Sequence, residues 1–381
     1  MTNVTGNCTV WKFQSLTTSH TSVTVFGACY GILGLTSVIG NFVVLFLICA
    51  KPDLRTATNL FVANLVVSDL LVAVSSLWLT PLYSFQQVWV FGWELCKLWS
   101  GITTLAVLVS SFTLMAIAID RYFLVLHPFW HRNCPISYAL IMTLIWCAGI
   151  GMSAPLVVYT DMVTIRTKCH RQVSFCLDIW RPQGARIWYG FSVLLMKSIF
   201  PFTVIAFCYR AVNTRLHRQY QKVRENRSTG GKLTAIQRKQ KLQRILSTMV
   251  IVYGLCSVPL DIVNLIKDMD SYFQSVKLFK NEYKHPVTLA CHLVAMSALL
   301  WNPLLYAFCN ENFKRQLYSL VGSAGRSNSE EVEKLRSEWN KTTTVASTRP
   351  MSTNIGVTDV RMKLIKPGFS DDDDDDDSEQ I

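Results

Sequence analysis

Residues 96–122 read CKLWSGITTLAVLVSSFTLMAIAIDRY. Between Lys97 and Asp120 lie 22 residues, Leu98–Ile119, without a charge. As a helix rising about 1.5 Å per residue, they span roughly 33 Å, close to the thickness of a bilayer core. The stretch therefore predicts a transmembrane helix with a cysteine at one membrane face and an acid–Arg–Tyr triplet at the other.

The rest of the chain repeats this pattern. It is 50% hydrophobic and 16% charged over 381 residues, where soluble domains carry about 25% charged residues. The deficit is concentrated in seven stretches: 21–50, between Arg55 and Glu94, 98–119, between Arg132 and Asp161, 187–209, 245–266 and 285–310. Runs of this length predict membrane spans rather than buried soluble helices. The expected fold is an all-α bundle of seven transmembrane helices.

Charge sets the orientation. From Arg210 to Arg244 there are eleven Lys or Arg against one acid, Glu225, and Lys51, Arg55 and Arg132 fall in other loops on the same side. The positive-inside rule makes that side cytoplasmic and the N-terminus extracellular. The sequons at Asn3 and Asn7 agree, since glycosylation occurs outside. The net charge of +12 is thus placed for an anionic membrane surface, and nucleic acid is not an expected partner.

Three regions follow. Residues 1–22 are polar and read as an extracellular tail without a signal-peptide core. Residues 23–321 hold the seven spans and, at 312–320, alternating apolar and basic residues that predict a short amphipathic eighth helix on the inner leaflet. Residues 322–381 are rich in Ser, Thr and charge and predict a disordered cytoplasmic tail. Its acidic run, Asp371–Asp377, reads as a solvated segment, and its terminal Glu-Gln-Ile fits a PDZ-type groove only as a short pattern.

Topology alone allows a receptor, channel, transporter or membrane enzyme. Hydrolase chemistry lacks its motifs, with no His-Glu-x-x-His and no Gly-x-Ser-x-Gly. The twelve cysteines form no Cys-x-x-Cys pair, so zinc is not expected. No internal repeat of the transporter kind is visible. The ionisable residues inside the spans, Asp69, Lys197, Asp261 and His292, are functional candidates because a charge is costly there. Asp261, Asn264 and Asp268 are spaced i, i+3, i+7 and share one helix face.

The motifs, taken in order, resemble the rhodopsin-like G-protein-coupled receptors over about residues 25–320. They are Gly40-Asn41 in the first span, Asn64-Leu65 with Asp69 in the second, and Cys96 with Asp120-Arg121-Tyr122 in the third. Trp146 follows in the fourth, Pro201 and Tyr209 in the fifth, Cys256 and Pro259 in the sixth, and Asn302-Pro303-Leu304-Leu305-Tyr306 in the seventh. The resemblance implies a plasma-membrane receptor that is not an enzyme and that acts on a heterotrimeric G protein, by analogy of the inhibitory class. Arrestin, a receptor kinase and membrane lipid are the further partners it implies. Asp120 would hold Arg121 in the inactive state, and Tyr209 and Tyr306 would turn inward on activation. Cys96 would pair with Cys176, leaving Cys8 and Cys169 for a second outer bridge. Asp69, Ser110 and Asn302 resemble a sodium site, although Ala298 and Leu299 stand where polar ligands are common. The other reading of Asp69 is a protonated, hydrogen-bonded core residue.

The narrower resemblance is to neuropeptide Y and neuropeptide F receptors, most of all the invertebrate branch for FMRFamide-like peptides. It rests on Trp89-Val90-Phe91-Gly92 and on His292–Ser297 leading into Asn302-Pro303. It implies an amidated peptide ligand and ligand positions at Thr80, Tyr83, Thr103, Asn264, Asp268 and His292. An Arg-Phe-amide terminus needs a carboxylate for its guanidinium; Asp268 is the candidate, against a solvated loop acid. Lys197 and Asp261 either touch ligand or neutralise each other. Tachykinin- or orexin-like receptors are the rival within the class, and a transporter or channel is the rival outside it. Two departures stand out. Ser257 replaces the usual Trp of the sixth span, so either Trp301 or Tyr253 takes over its packing or the activation trigger differs. Lys239 replaces an acid that locks Arg121, so raised basal activity is expected.

Overall fold

In a computed structural model the chain is described over residues 20–127, 135–166, 172–182, 184–225, 230–272, 281–309 and 313–319. Asn3, Asn7, Cys8, Cys169, the side chain of Tyr306 and the tail from 320 onward lie outside the described residues. So do parts of the loops, including Arg132.

Among the described residues, seven helices are long and apolar enough to cross a membrane. They are α1 His20–Ala50, α2 Ala57–Gln86, α3 Trp93–Leu126, α4 Pro135–Tyr159, α5 over 184–225, α6 Gly230–Tyr272 and α7 Asn281–Cys309. Between α4 and α5, β1 (Thr160–Arg166) and β2 (Gln172–Asp178) form an antiparallel hairpin with Met162 opposite Cys176. Residues 313–319 are also helical, and Phe313 is buried in the inner core with Leu317 against it.

The bundle turns apolar residues both into its core and outward, where the solvent is lipid. On α1, Ile32, Leu35, Ile39, Phe42 and Phe46 form an exposed stripe at helical spacing, while Ser37 and Asn41 are fully buried on the opposite face. Buried polar side chains then join helices, since each needs a partner. Asn41 Nδ2 donates to the Leu299 carbonyl at 3.0 Å, tying α1 to α7. Trp146 Nε1 donates to Asn64 Oδ1 at 2.9 Å, and Asn64 Nδ2 donates to Thr113 Oγ1 at 2.7 Å, joining α4, α2 and α3. A Cβ at Gly40 would stand 3.0 Å from Pro303, so the small residue allows α1 and α7 to close.

Helix α5 is one continuous rod with a π turn at Leu195–Ile199 between α-helical parts Gly184–Leu194 and Phe200–Glu225. A π turn widens the helix by one residue. Here it coincides with Lys197, whose carbonyl accepts a bond from Ser111 Oγ of α3 at 2.5 Å.

Candidate functional site

The outer end of the bundle is built around the Cys96–Cys176 disulfide, which clamps β2 onto the start of α3. The hairpin is fastened twice more. Trp89 N donates to the Ser174 carbonyl at 2.7 Å, and Tyr83 OH donates to the Cys176 carbonyl at 3.3 Å. Trp89 is buried and stacks on Trp99 at 5.3 Å, with Tyr83 and Phe91 edge-on. Its indole Nε1 donates to the Gly92 carbonyl at 2.7 Å. Gly92 has φ +86°, a conformation that suits glycine. The Trp89–Gly92 motif is therefore the aromatic floor beneath the bridge. On β1, the Met162 N–H and the Trp93 indole hold the Asp161 carboxyl below the usual carboxylate range.

Below the hairpin lies a cavity of about 740 Å³. Thr80, Tyr83, Thr103, Lys197, Asp261, Asn264, Asp268 and His292 all line it. The helical spacing of Asp261, Asn264 and Asp268 does bring them to one wall.

Their partners add detail that the sequence lacks. Lys197 Nζ forms an ion pair with Asp261, whose other oxygen accepts from Ser198 Oγ at 2.8 Å. The pair is buried, with side chains 14% and 7% exposed. Of the two readings of these residues, mutual neutralisation is the arrangement present.

His292 is wedged between α1 and α2, with Tyr30 OH 2.8 Å from Nδ1 and Ser76 Oγ 2.9 Å from Nε2. Tyr30 donates to the Leu289 carbonyl at 2.9 Å. A carbonyl only accepts, so the hydroxyl proton goes there, Nδ1–H donates to Tyr30, and Nε2 accepts from Ser76. Both ring nitrogens are thus engaged inside the bundle.

Asp268 is neither a solvated loop acid nor open to the cavity alone. It lies within α6 with its side chain 12% exposed, and Arg186 Nε of α5 stands 3.2 Å from its Oδ1. Arg186 Nε also stands 3.0 Å from Asp178 Oδ2 at the end of β2. Sequence reasoning passed over both Arg186 and Asp178. Asp178 follows Cys176 by two residues, so any bridge to Cys96 fixes it over the cavity, and that signal was available.

Deeper in the bundle, Asp69 accepts from Ser110 Oγ at 3.1 Å and from Asn302 Nδ2 at 2.7 Å, with Ser68 Oγ 2.8 Å from Ser110 Oγ. This joins α2, α3 and α7. Both carboxylate oxygens already accept bonds, Asn302 presents its N–H₂, and Leu299 and Ala298 are apolar neighbours. These donors fall short of the oxygen shell a hard cation takes, and they do not fit sodium as arranged.

At the inner end, Arg121 Nε is 3.9 Å from Asp120 Oδ2, and the guanidinium also donates to Thr58 Oγ1. Thr58 in turn donates to Asp120 Oδ2 at 3.3 Å. Tyr122 packs near Phe207, and Tyr209 is partly buried against the inner core. Lys239 is exposed. Pro259 and Pro303 lie inside α6 and α7.

Of the two aromatic candidates near Ser257, Tyr253 is the one that lies inside the bundle. Trp301 is 45% exposed and faces out of the bundle, so it does not take the missing indole's place. Tyr253 is 8% exposed, its ring lies 6.1 Å from Phe202, and its hydroxyl reaches the Val107 carbonyl at 3.5 Å.

Residues 40–306 match the family model of the 7 transmembrane receptor (rhodopsin family). The chain belongs to that family: it is a G-protein-coupled receptor, a multi-pass protein of the plasma membrane, and not an enzyme. It is similar to the neuropeptide Y receptor type 6 of Oryctolagus cuniculus, 28% identical over 319 residues, covering 81% of this chain and 83% of that one. The mouse (Mus musculus) neuropeptide Y receptor type 6 is 27% identical over 324 residues, covering 83% and 85%. The Drosophila melanogaster neuropeptide F receptor is 27% identical over 311 residues, covering 77% of this chain and 61% of that receptor.

Proposed function

We propose that this receptor binds an amidated neuropeptide with an arginine close to its C-terminus, of the Arg-Phe-amide or neuropeptide F-like kind. Binding then promotes nucleotide exchange on a heterotrimeric G protein of the inhibitory class. The carrying observation is the cavity under the disulfide-held hairpin, where all eight expected ligand positions converge and where Asp178 and Asp268 already hold one guanidinium, that of Arg186. The named relatives, two neuropeptide Y receptors and a neuropeptide F receptor, support a peptide ligand.

The roles follow from position. Tyr83 and Trp99, which line the cavity, offer an apolar surface for the terminal Phe ring. Thr80, Thr103 and Asn264 offer hydroxyl and amide groups to a carboxamide. Asp268, at the outer end of α6, is the partner for a guanidinium. At the inner end, Arg121 leaves Asp120 and Thr58 as α6 moves outward and faces the G protein. Arrestin and a receptor kinase would act on the cytoplasmic side, and the basic inner loops would meet anionic lipid.

The test is G-protein activation in transfected cells by a panel of amidated peptides, on wild type and Asp268→Asn, with and without pertussis toxin. Activation by Arg-Phe-amide peptides that drops at least tenfold in potency in the variant is expected, since a lost charge-assisted pair is worth about 1.5–3 kcal/mol. Toxin is expected to abolish the response. A response to tachykinin- or orexin-like peptides alone would move the receptor to that group.

A further inference from the structure

The charged groups lining the cavity are balanced. Among the described residues these are three acids, Asp178, Asp261 and Asp268, and three cations, Arg186, Lys197 and Lys267. Lys197 is committed to Asp261, and Lys267 lies close enough to Asp268 to act on it electrostatically. No carboxylate here waits uncompensated for a peptide's arginine.

The outer acids are built to hold a guanidinium. One nitrogen, Arg186 Nε, lies between Asp178 and Asp268, at 3.0 and 3.2 Å. Trp180 supports the group from below, its ring centre 5.9 Å from the guanidinium carbon and its Nε1 3.2 Å from Asp178 Oδ2. Trp180 is itself held between Tyr159 and Tyr189, at 4.5 and 4.9 Å. One helical turn beyond Arg186, Gly190 makes room for the carboxylate: a Cβ there would stand 2.5 Å from Asp268 Oδ2. This seat comes from three elements, β2, α5 and α6, and the chain's own arginine occupies it.

We propose that Arg186 is an internal stand-in for the ligand's arginine, and that recognition of an arginine-bearing peptide is an exchange of one guanidinium for another at Asp178 and Asp268. This rests on the peptide reading above. Exchange of like for like leaves the charge balance at the two carboxylates unchanged. It favours a planar guanidinium, which can lie over the Trp180 ring while its N–H groups reach the carboxylates, over a strongly hydrated ammonium. It also releases Arg186, and with it the tie between β2, α5 and α6. Arg186 is then a specificity residue that competes with the ligand, and removing it should strengthen binding.

The experiment uses the full-length receptor in cells as wild type, R186Q, R186K, D268N and R186Q/D268N, with surface amounts measured. The probes are an amidated tetrapeptide ending in Arg-Phe-amide and the same peptide with uncharged citrulline in place of arginine. The readout is the concentration for half-maximal G-protein activation.

R186Q is expected to lower that concentration about tenfold for the arginine peptide, as when a binding-competent state rises from a tenth to most of the population. The citrulline peptide should show no such gain. The gain should also be absent when D268N is present, so that R186Q/D268N responds like D268N. R186K is expected to show a smaller gain and stands in if R186Q fails to reach the surface. An unchanged or weaker response in R186Q and R186K at normal surface amounts would overturn the exchange while leaving the ligand class intact. Equal potency of the two probes on wild type would also overturn it. Silence of every variant to both probes, with a response to another peptide class, would instead overturn the ligand reading on which the exchange rests.

Discussion

Lys197 and Asp261 form a buried ion pair between α5 and α6, one turn from Ser257, where the family's usual indole is absent. Removing one partner leaves the other charge alone in the bundle, which costs about 3–5 kcal/mol. Lys197→Met and Asp261→Leu are each expected to lower the melting temperature of the detergent-solubilised receptor. The Lys197→Met/Asp261→Leu double variant should recover most of the loss, because no charge is then orphaned. Additive losses in the double variant would mean that the two residues act separately. Because the pair ties α5 to α6, each single variant is also expected to raise ligand-free signalling. At this scale the sequence was informative wherever a charge lay in an apolar run: Asp69, Lys197 and Asp261 all stand out, and all three proved to hold helices together. It was less informative about pairing. Arg186 and Asp178 read as ordinary loop-end charges until the hairpin and α6 bring them against Asp268. The engagement of both His292 nitrogens by Tyr30 and Ser76 depends on α1 and α2 meeting α7, which no local pattern records.

Among the elements, the β1–β2 hairpin and the irregular α5 decide the shape of the cavity. The hairpin is a two-stranded unit, which is marginal by itself, and the disulfide and the bonds from Trp89 and Tyr83 hold it over the bundle. Cys96→Ser with Cys176→Ser is expected to destabilise the receptor by about 2–5 kcal/mol and to abolish peptide binding, measured by thermal denaturation and by binding to surface-labelled cells. Retained binding at wild-type affinity would show that the hairpin does not shape the site. The seven helices were legible because a membrane span is set by length and apolarity alone. The hairpin was not, since its strands are short and polar at both ends. Nor was the π turn at Leu195–Ile199, which arises where α5 meets Ser111 of α3 rather than from propensity.

In the whole molecule, a polar interior lies between the two ends of one bundle. Asp69, Ser110 and Asn302 connect α2, α3 and α7 midway between the outer cavity and the Asp120–Arg121 pair. Asn302→Ala is expected to leave peptide binding nearly intact but to reduce maximal G-protein activation several-fold, because the link lies between the sites and touches neither. Lys239 is exposed and brings no negative charge to Arg121, so signalling without ligand should exceed that of mock-transfected cells, and Lys239→Glu should lower it. The expected orientation of the bundle rests on the eleven basic residues between Tyr209 and Ile245, because the positive-inside rule needs no tertiary structure.

The most direct measurement is GTP-for-GDP exchange on a purified inhibitory-class heterotrimer, driven by the purified receptor in lipid nanodiscs with and without an Arg-Phe-amide peptide. Peptide-dependent acceleration that is lost in Arg121→Ala is the expected result. Exchange that no amidated peptide accelerates, from a receptor shown to be folded by its thermal transition, would contradict the assignment of ligand and coupling together.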